Sequence, residues 1–287
     1  MTKPLLSLAS WAAKQLPESM IREIYRIPWI AKPLRGILNR SAPTGFTEVT
    51  ISAGPAAGSK MFLDLHNEKD YWLGTYEIDL SKALVDFGKP GMVAYDLGAN
   101  IGYISLIMAL TVGSRGQVFS FEALPKNLDR LSQNIAINNL DDRVTIIPKA
   151  ISDRNGELTF LVGPSPGTGK AAGSAGRNDL VYSEQIKVPG ITLDTFVLEE
   201  GHPEPDLIKM DIEGGEVLAL PKMQGTLSQS KPIVLMELHG PEAIDVAWDI
   251  FRNHHYRICR MASGYPVITS KAEIDWKAYI IALPEQV

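Results

Sequence analysis

The 287-residue chain is 45% hydrophobic and 21% charged, enough apolar surface for one large core or a core with a small appendage. Its formal net charge of −5 excludes bulk electrostatic attraction to nucleic acid, and its single cysteine, Cys259, excludes a disulfide framework and a cysteine metal site. No run reaches the roughly 18–20 apolar residues of a membrane span and no apolar leader with a cleavage site is evident, so a reducing cytoplasm is the expected location.

Residues 1–45 read as an arm. Over the first 40, Lys3, Lys14, Arg22, Arg26, Lys32, Arg35 and Arg40 oppose only Glu18 and Glu23, a net +5 within a negative molecule. Trp11, Ile21, Ile24, Tyr25, Trp29 and Leu34 recur at mixed helical spacings interrupted by Pro17, Pro28 and Pro33, which predicts two or three short amphipathic helices. Two readings stand: packing on the main domain or on a second copy as a homo-oligomer, and peripheral contact with anionic lipid through residues 1–40.

Residues 46–287 read as one α/β domain. VAYDL (93–97), QVFSFE (117–122), RVTIIPKA (143–150), DLIKMDIE (206–213) and PIVLMELH (232–239) are short β-branched runs suited to strands buried on both faces of a parallel sheet. Helical patterns lie between them: ISLIMALTV, PKNLDRLSQNIAINN, TLDTFVLEE and GEVLALPKMQGTLSQ. This alternation predicts a doubly wound, mostly parallel sheet with right-handed crossovers. After a further helix, PEAIDVAWDIFRNH, the strands HYRICRM and WKAYIIAL follow without a helix between them, so an antiparallel edge strand is expected. The Gly, Pro, Ser and Ala-rich stretch 163–180 lies between strand-like ELTFLV and EQIKVPG and reads as a flexible hairpin insertion or a lid.

The turn from the first parallel strand into its helix, DLGANIGY (96–103), sits where open α/β sheets bind ligands. Gly98 and Gly102 give a ligand clearance near a helix N-terminus. Glu122 ends the next strand, where a carboxylate accepts both ribose hydroxyls of an adenosine. A dinucleotide fits poorly, because Asp96 stands where a pyrophosphate would approach and the G-x-G-x-x-G spacing is missing. Asp96 suits a cationic, phosphate-free ligand, and S-adenosylmethionine carries its charges on an ammonium and a sulfonium.

With these residues in view, the chain resembles FkbM-family S-adenosylmethionine-dependent methyltransferases. The matching motifs are LGTYE (73–77), DLGANIGY (96–103), FEALPKNLDRLSQNIAIN (121–138), KAISDRNGELTF (149–160), ITLDTF (191–196), DLIKMDIEGGE (206–216) and MEL (236–238), in family order. FEALP departs from the usual FEP-like sequence, moving the proline to position 125 and leaving Glu122 intact. The resemblance implies a class I, Rossmann-like methyltransferase fold. It also implies O-methylation of a hydroxyl on a sugar, glycan or secondary metabolite, with S-adenosylhomocysteine as by-product. By the same likeness Asp96, Gly98, Ala99 and Asn100 line the methionine end of the cofactor, Glu122 holds the ribose, Ala150 and Ile151 flank the adenine, and Gly102, Glu77 and Asp211 belong to the cofactor set. N-methylation of a small amine and a non-catalytic partner protein are the alternatives.

Asp211 and Glu213, beyond the fourth strand, are expected to face the transferable methyl and the acceptor, with Lys209 paired to one of them. Methyl transfer to an alcohol needs a base. His239 and Glu237, ending the fifth strand, are the nearest candidates, followed by Glu213 and, upstream, Glu77 and His66. Asp211, Glu213 and Glu237 would suit Mg²⁺, but their spacing does not demand it and no metal is expected.

Overall fold

The computed structural model describes residues 42–163, 169–176 and 181–285, together with Ala9, Trp11, Ala12 and Gln15, which are helical. The remaining positions of the expected arm, and residues 164–168 and 177–180 of the expected insertion, lie outside the described residues. Among those described, no helix is long and apolar enough to cross a membrane.

The domain opens with an antiparallel hairpin, β1 (Phe46–Thr50) and β2 (Lys60–Asp64), followed by helices α1 (Lys69–Leu73) and α2 (Ile78–Phe87). The alternating part then runs β3 (Val93–Leu97), α3 (Tyr103–Val112), β4 (Gln117–Phe121), α4 (Pro125–Ala136) and β5 (Val144–Ile147). Short strands β6 (Ala150–Ile151), β7 (Gly156–Val162), β8 (Lys170–Ala171) and β9 (Glu184–Ile191) form a separate four-stranded sheet in the order β6-β9-β7-β8. The chain re-enters the main sheet with β10 (Leu207–Met210), crosses helices α5 (Glu216–Ala219) and α6 (Gln224–Gln229) to β11 (Ile233–His239), and closes with α7 (Pro241–Asn253), β12 (Tyr256–Arg260) and β13 (Lys277–Pro284).

The seven-stranded sheet has the order β12-β13-β11-β10-β3-β4-β5. Neighbours from β5 to β11 are parallel, and β13 is antiparallel to both β11 and β12. The two late strands thus form the expected antiparallel pair at one edge, β12 outermost and β13 beside β11. Pleating sends Ala94 and Leu207 into the core beneath α2 and α3, and Tyr95, Leu97, Ile208 and Met210 into the opposite core. Near-continuous apolar strands are the consequence of burial on both faces. TLDTFVLEE forms only a five-residue π-type turn, Thr195–Glu199, rather than a crossover helix. Helix α3 is apolar nearly all round because it is buried nearly all round. Two asparagines on or just after α4 tie the hairpin to the sheet domain: Phe62 N–H donates to Asn134 Oδ1 at 2.8 Å and Lys60 N–H to Asn138 Oδ1 at 2.9 Å.

Candidate functional site

A cavity of about 580 Å³ lies over the C-terminal ends of β3, β4 and β10. Its floor is the expected glycine turn. Gly98 and Asn100 take left-handed conformations, with φ of 84° and 50°. A Cβ on Gly98 would lie 2.0 Å from the Asp211 carbonyl oxygen, so the turn and the loop after β10 touch backbone to backbone. The Gly98 and Ala99 N–H groups both donate to the Phe121 carbonyl, at 3.1 and 2.8 Å, fastening the turn to the end of β4. Gly98, Ala99 and Asn100 line the cavity, and Gly102 does not. Gly102 instead caps α3, and a Cβ there would lie 2.6 Å from Leu131 of α4, so its clearance serves helix packing.

Glu122 is buried at the cavity wall. Its Oε1 accepts from the Ala123 and Leu124 N–H groups, both at 2.8 Å, and its Oε2 from Asn100 N–H at 2.9 Å. Burial pushes its pKa up against these donors and the Asn127 amide. One carboxylate thus joins the end of β4 to the β3 turn.

Asp96 departs from expectation. It is fully buried and its Oδ1 lies 3.1 Å from Lys209 Nζ, its exact cross-strand neighbour in register. Oδ2 accepts from Ser105 Oγ at 2.6 Å, and Ser105 Oγ accepts from Ser120 Oγ at 2.8 Å. Asp96 therefore answers a cation of the protein beneath the turn rather than facing the cavity. Lys209, expected to pair with Asp211 or Glu213, donates instead to the Gly98 carbonyl at 2.8 Å. Burial lowers its pKa, but Asp96, Asp211 and Glu77 outweigh that and raise it overall.

Ala150, Ile151 and Glu77 line the cavity, and His66 does not. Glu77 sits at φ 43°, and its Oε2 is buried without a hydrogen-bond partner. Burial and then Asp211 raise its pKa to about 7, opposed by Lys209, Tyr76 and Lys277. Tyr71, Tyr76 and Tyr103 cluster beside it with ring centroids 4.2–5.8 Å apart, and all three line the cavity. Sequence reasoning passed over these tyrosines, although Tyr76 and Tyr103 stand inside the quoted motifs.

Asp211, Glu213 and Glu237 form an acidic end to the cavity. His239 is wholly buried and is not part of the cavity lining; its Nε2 lies 3.8, 3.7 and 3.7 Å from Asp211, Glu213 and Glu237, and its Nδ1 3.3 Å from Glu216. Burial pushes the imidazole pKa down, but Glu216, Asp211 and Glu213 prevail and hold it raised. Lys277 on β13 reaches Glu237 Oε1 at 2.5 Å. A lone lysine opening a strand gives no sequence signal of such a role. The described part of the 163–180 stretch packs on this end: Ala175 N–H donates to the Gly214 carbonyl at 2.9 Å, and a Cβ on Gly176 would lie 2.8 Å from His239 Cβ.

Among solved structures, a methyltransferase FkbM from Methylobacillus flagellatus KT is 17% identical, with a TM-score of 0.45 over 76% of this chain and 53% of that one. Among curated proteins, the hexuronic acid methyltransferase AglP of Haloferax volcanii is 29% identical over 168 residues, 57% of this chain and 63% of the relative. The 2-O-methyltransferase NoeI of Sinorhizobium fredii is 31% identical over 156 residues, 50% of this chain and 62% of the relative. The chain thus spans a little under two thirds of the length of these two relatives. The model of the methyltransferase FkbM domain matches residues 96–258, more than half of the chain, and encloses Glu122, the glycine turn and the acidic end. The chain belongs to the FkbM methyltransferase family, and its main sheet is doubly wound and mostly parallel.

Proposed function

We propose that the protein is an S-adenosylmethionine-dependent O-methyltransferase acting on a hydroxyl of a sugar, glycan or secondary metabolite. The observation that carries this is Glu122, a buried carboxylate at the end of β4 that shares one cavity with Gly98, Ala99 and Asn100. An adenosine seated there offers its ribose hydroxyls to Glu122 and its base to Ala150 and Ile151. Glu77 and the β3 turn would receive the methionine ammonium, a role that Asp96, paired with Lys209, leaves to others.

Held in this way, S-adenosylmethionine would present its sulfonium methyl toward Asp211, Glu213 and Glu237. There the acceptor oxygen attacks the methyl in line; the C–O bond forms, the C–S bond breaks, and S-adenosylhomocysteine leaves. The hydroxyl proton passes to a carboxylate of Asp211, Glu213 or Glu237, which line the cavity. His239, favoured as base from the sequence, stands behind them. The activities for which these relatives are named, on a hexuronic acid and at a 2-O position, support a sugar hydroxyl as acceptor.

The test is incubation with methyl-labelled S-adenosylmethionine and a panel of hexuronic acids, neutral hexoses and primary amines. Labelled O-methyl sugar together with S-adenosylhomocysteine is the expected result. Label on the amines alone would favour N-methylation, and cofactor binding without turnover on any acceptor would favour a non-catalytic partner.

A further inference from the structure

We infer that Asp211, Glu237 and His239 form a binding site for one divalent first-row transition-metal ion, with Glu216 orienting the histidine and the acceptor hydroxyl completing the coordination.

One ligand atom from each of Asp211, Glu237 and His239 lies within 4.8 Å of the others. Two donors held by one ion at about 2.0–2.2 Å each are at most about 4.4 Å apart, and His239 Nε2 meets that limit with Asp211 at 3.8 Å and Glu237 at 3.7 Å. These distances are too long for hydrogen bonds.

A second observation is independent of the acids. His239 is 0% exposed, and its Nε2 has no hydrogen-bond partner while pointing into the cluster. Such an atom costs free energy unless something meets it. On the far side of the ring, Nδ1 lies 3.3 Å from Glu216 Oε1. With its proton on Nδ1, the ring donates to Glu216 and presents the Nε2 lone pair to Asp211 and Glu237. A carboxylate behind a histidine is the arrangement that fixes metal-binding imidazoles. The charges agree: Asp211, Glu213, Glu216 and Glu237 converge on this point, Lys277 meets one of them, and Lys209 is committed to Asp96.

A mixed nitrogen and carboxylate set suits Mn²⁺, Fe²⁺, Co²⁺ or Zn²⁺ better than Mg²⁺, which prefers oxygen ligands alone. Three protein ligands leave positions open toward the cavity, which Asp211 and Glu237 line. An acceptor hydroxyl bound there would lose its proton more readily, and Glu213, the lining carboxylate that is not a ligand, would take it, which narrows the choice of base among the three acids. This catalytic role rests on the methyltransferase reading; the binding site itself does not.

The test uses the full chain, free of any polyhistidine tag and stripped with chelator, titrated with Co²⁺ followed by visible absorption and with Mn²⁺ followed by electron paramagnetic resonance. S-adenosylmethionine binding is measured in parallel by calorimetry. One ion per chain is expected, with affinity falling at least about tenfold in Glu216→Gln and about 100-fold or more in Asp211→Asn and His239→Gln, each judged folded by its circular dichroism. Wild-type protein that binds neither ion stoichiometrically, or folded variants that bind as tightly as wild type, would overturn the site. Metal binding without methyl transfer would leave the site standing and count against the enzymatic reading alone. Should His239→Gln not fold, Asp211→Asn and Glu216→Gln decide the matter.

Discussion

Glu122 and Asp96 are both acids near the ends of adjacent parallel strands, yet they do different things. Glu122 was legible because its position after an apolar strand implies a ligand-facing carboxylate, and it does line the cavity. Asp96 was misread because its partner, Lys209, is brought opposite only by the β3 to β10 register, which no local pattern encodes. Glu77 belongs to the same scale. Its carboxyl faces Asp211, Tyr76, Lys209 and Lys277, and with burial its pKa comes to about 7. An ammonium seated beside it favours the ionised form, so cofactor affinity should rise with pH through that range. Calorimetry between about pH 5.5 and 7 should show a gain approaching tenfold per unit at the acid end and flattening near neutrality, and Glu77→Gln should remove the slope. A pH-independent affinity would show that Glu77 does not meet the ammonium.

Among elements, the β3 turn carries the strictest demand. Gly98 has φ of 84°, and any Cβ would strike the Asp211 carbonyl. Gly98→Ala should cost at least about 2 kcal/mol and lower the melting temperature by roughly 4–8 °C, since a backbone contact cannot turn aside. Scanning calorimetry checks this; an unchanged transition would mean that the turn and the loop after β10 are not held together as described. The central strands and helices α3, α4 and α7 were readable because burial on one or both sides imposes an apolar pattern. The hairpin β1 to β2 was not. FTEVT and KMFLD are short and half exposed, and they depend on α4 asparagines more than 70 residues away. The five-residue turn after β9 shows the opposite failure, a helical pattern cut short by tertiary packing.

At the scale of the whole molecule, the doubly wound sheet brings residues from five separated stretches to one cavity: Glu77, Gly98 to Asn100, Glu122, Asp211 and Glu237. Composition and strand order made that end of the sheet predictable. Which charges would face the cavity and which would answer one another was not, because that depends on contacts over 100 residues apart in sequence, such as Lys209 with Asp96. Asp211 and Glu237 share one cavity with Glu122 and the glycine turn, as the proposed methyl transfer between two bound molecules requires. The most direct measurement is calorimetric titration of the intact protein with S-adenosylmethionine, in wild type, Glu122→Gln and Glu122→Ala. One molecule should bind per chain, with affinity reduced at least about 100-fold, or roughly 2.7 kcal/mol, in Glu122→Ala and less in Glu122→Gln; wild-type affinity in a folded Glu122→Ala protein would contradict the assignment of this cavity to the methyl donor.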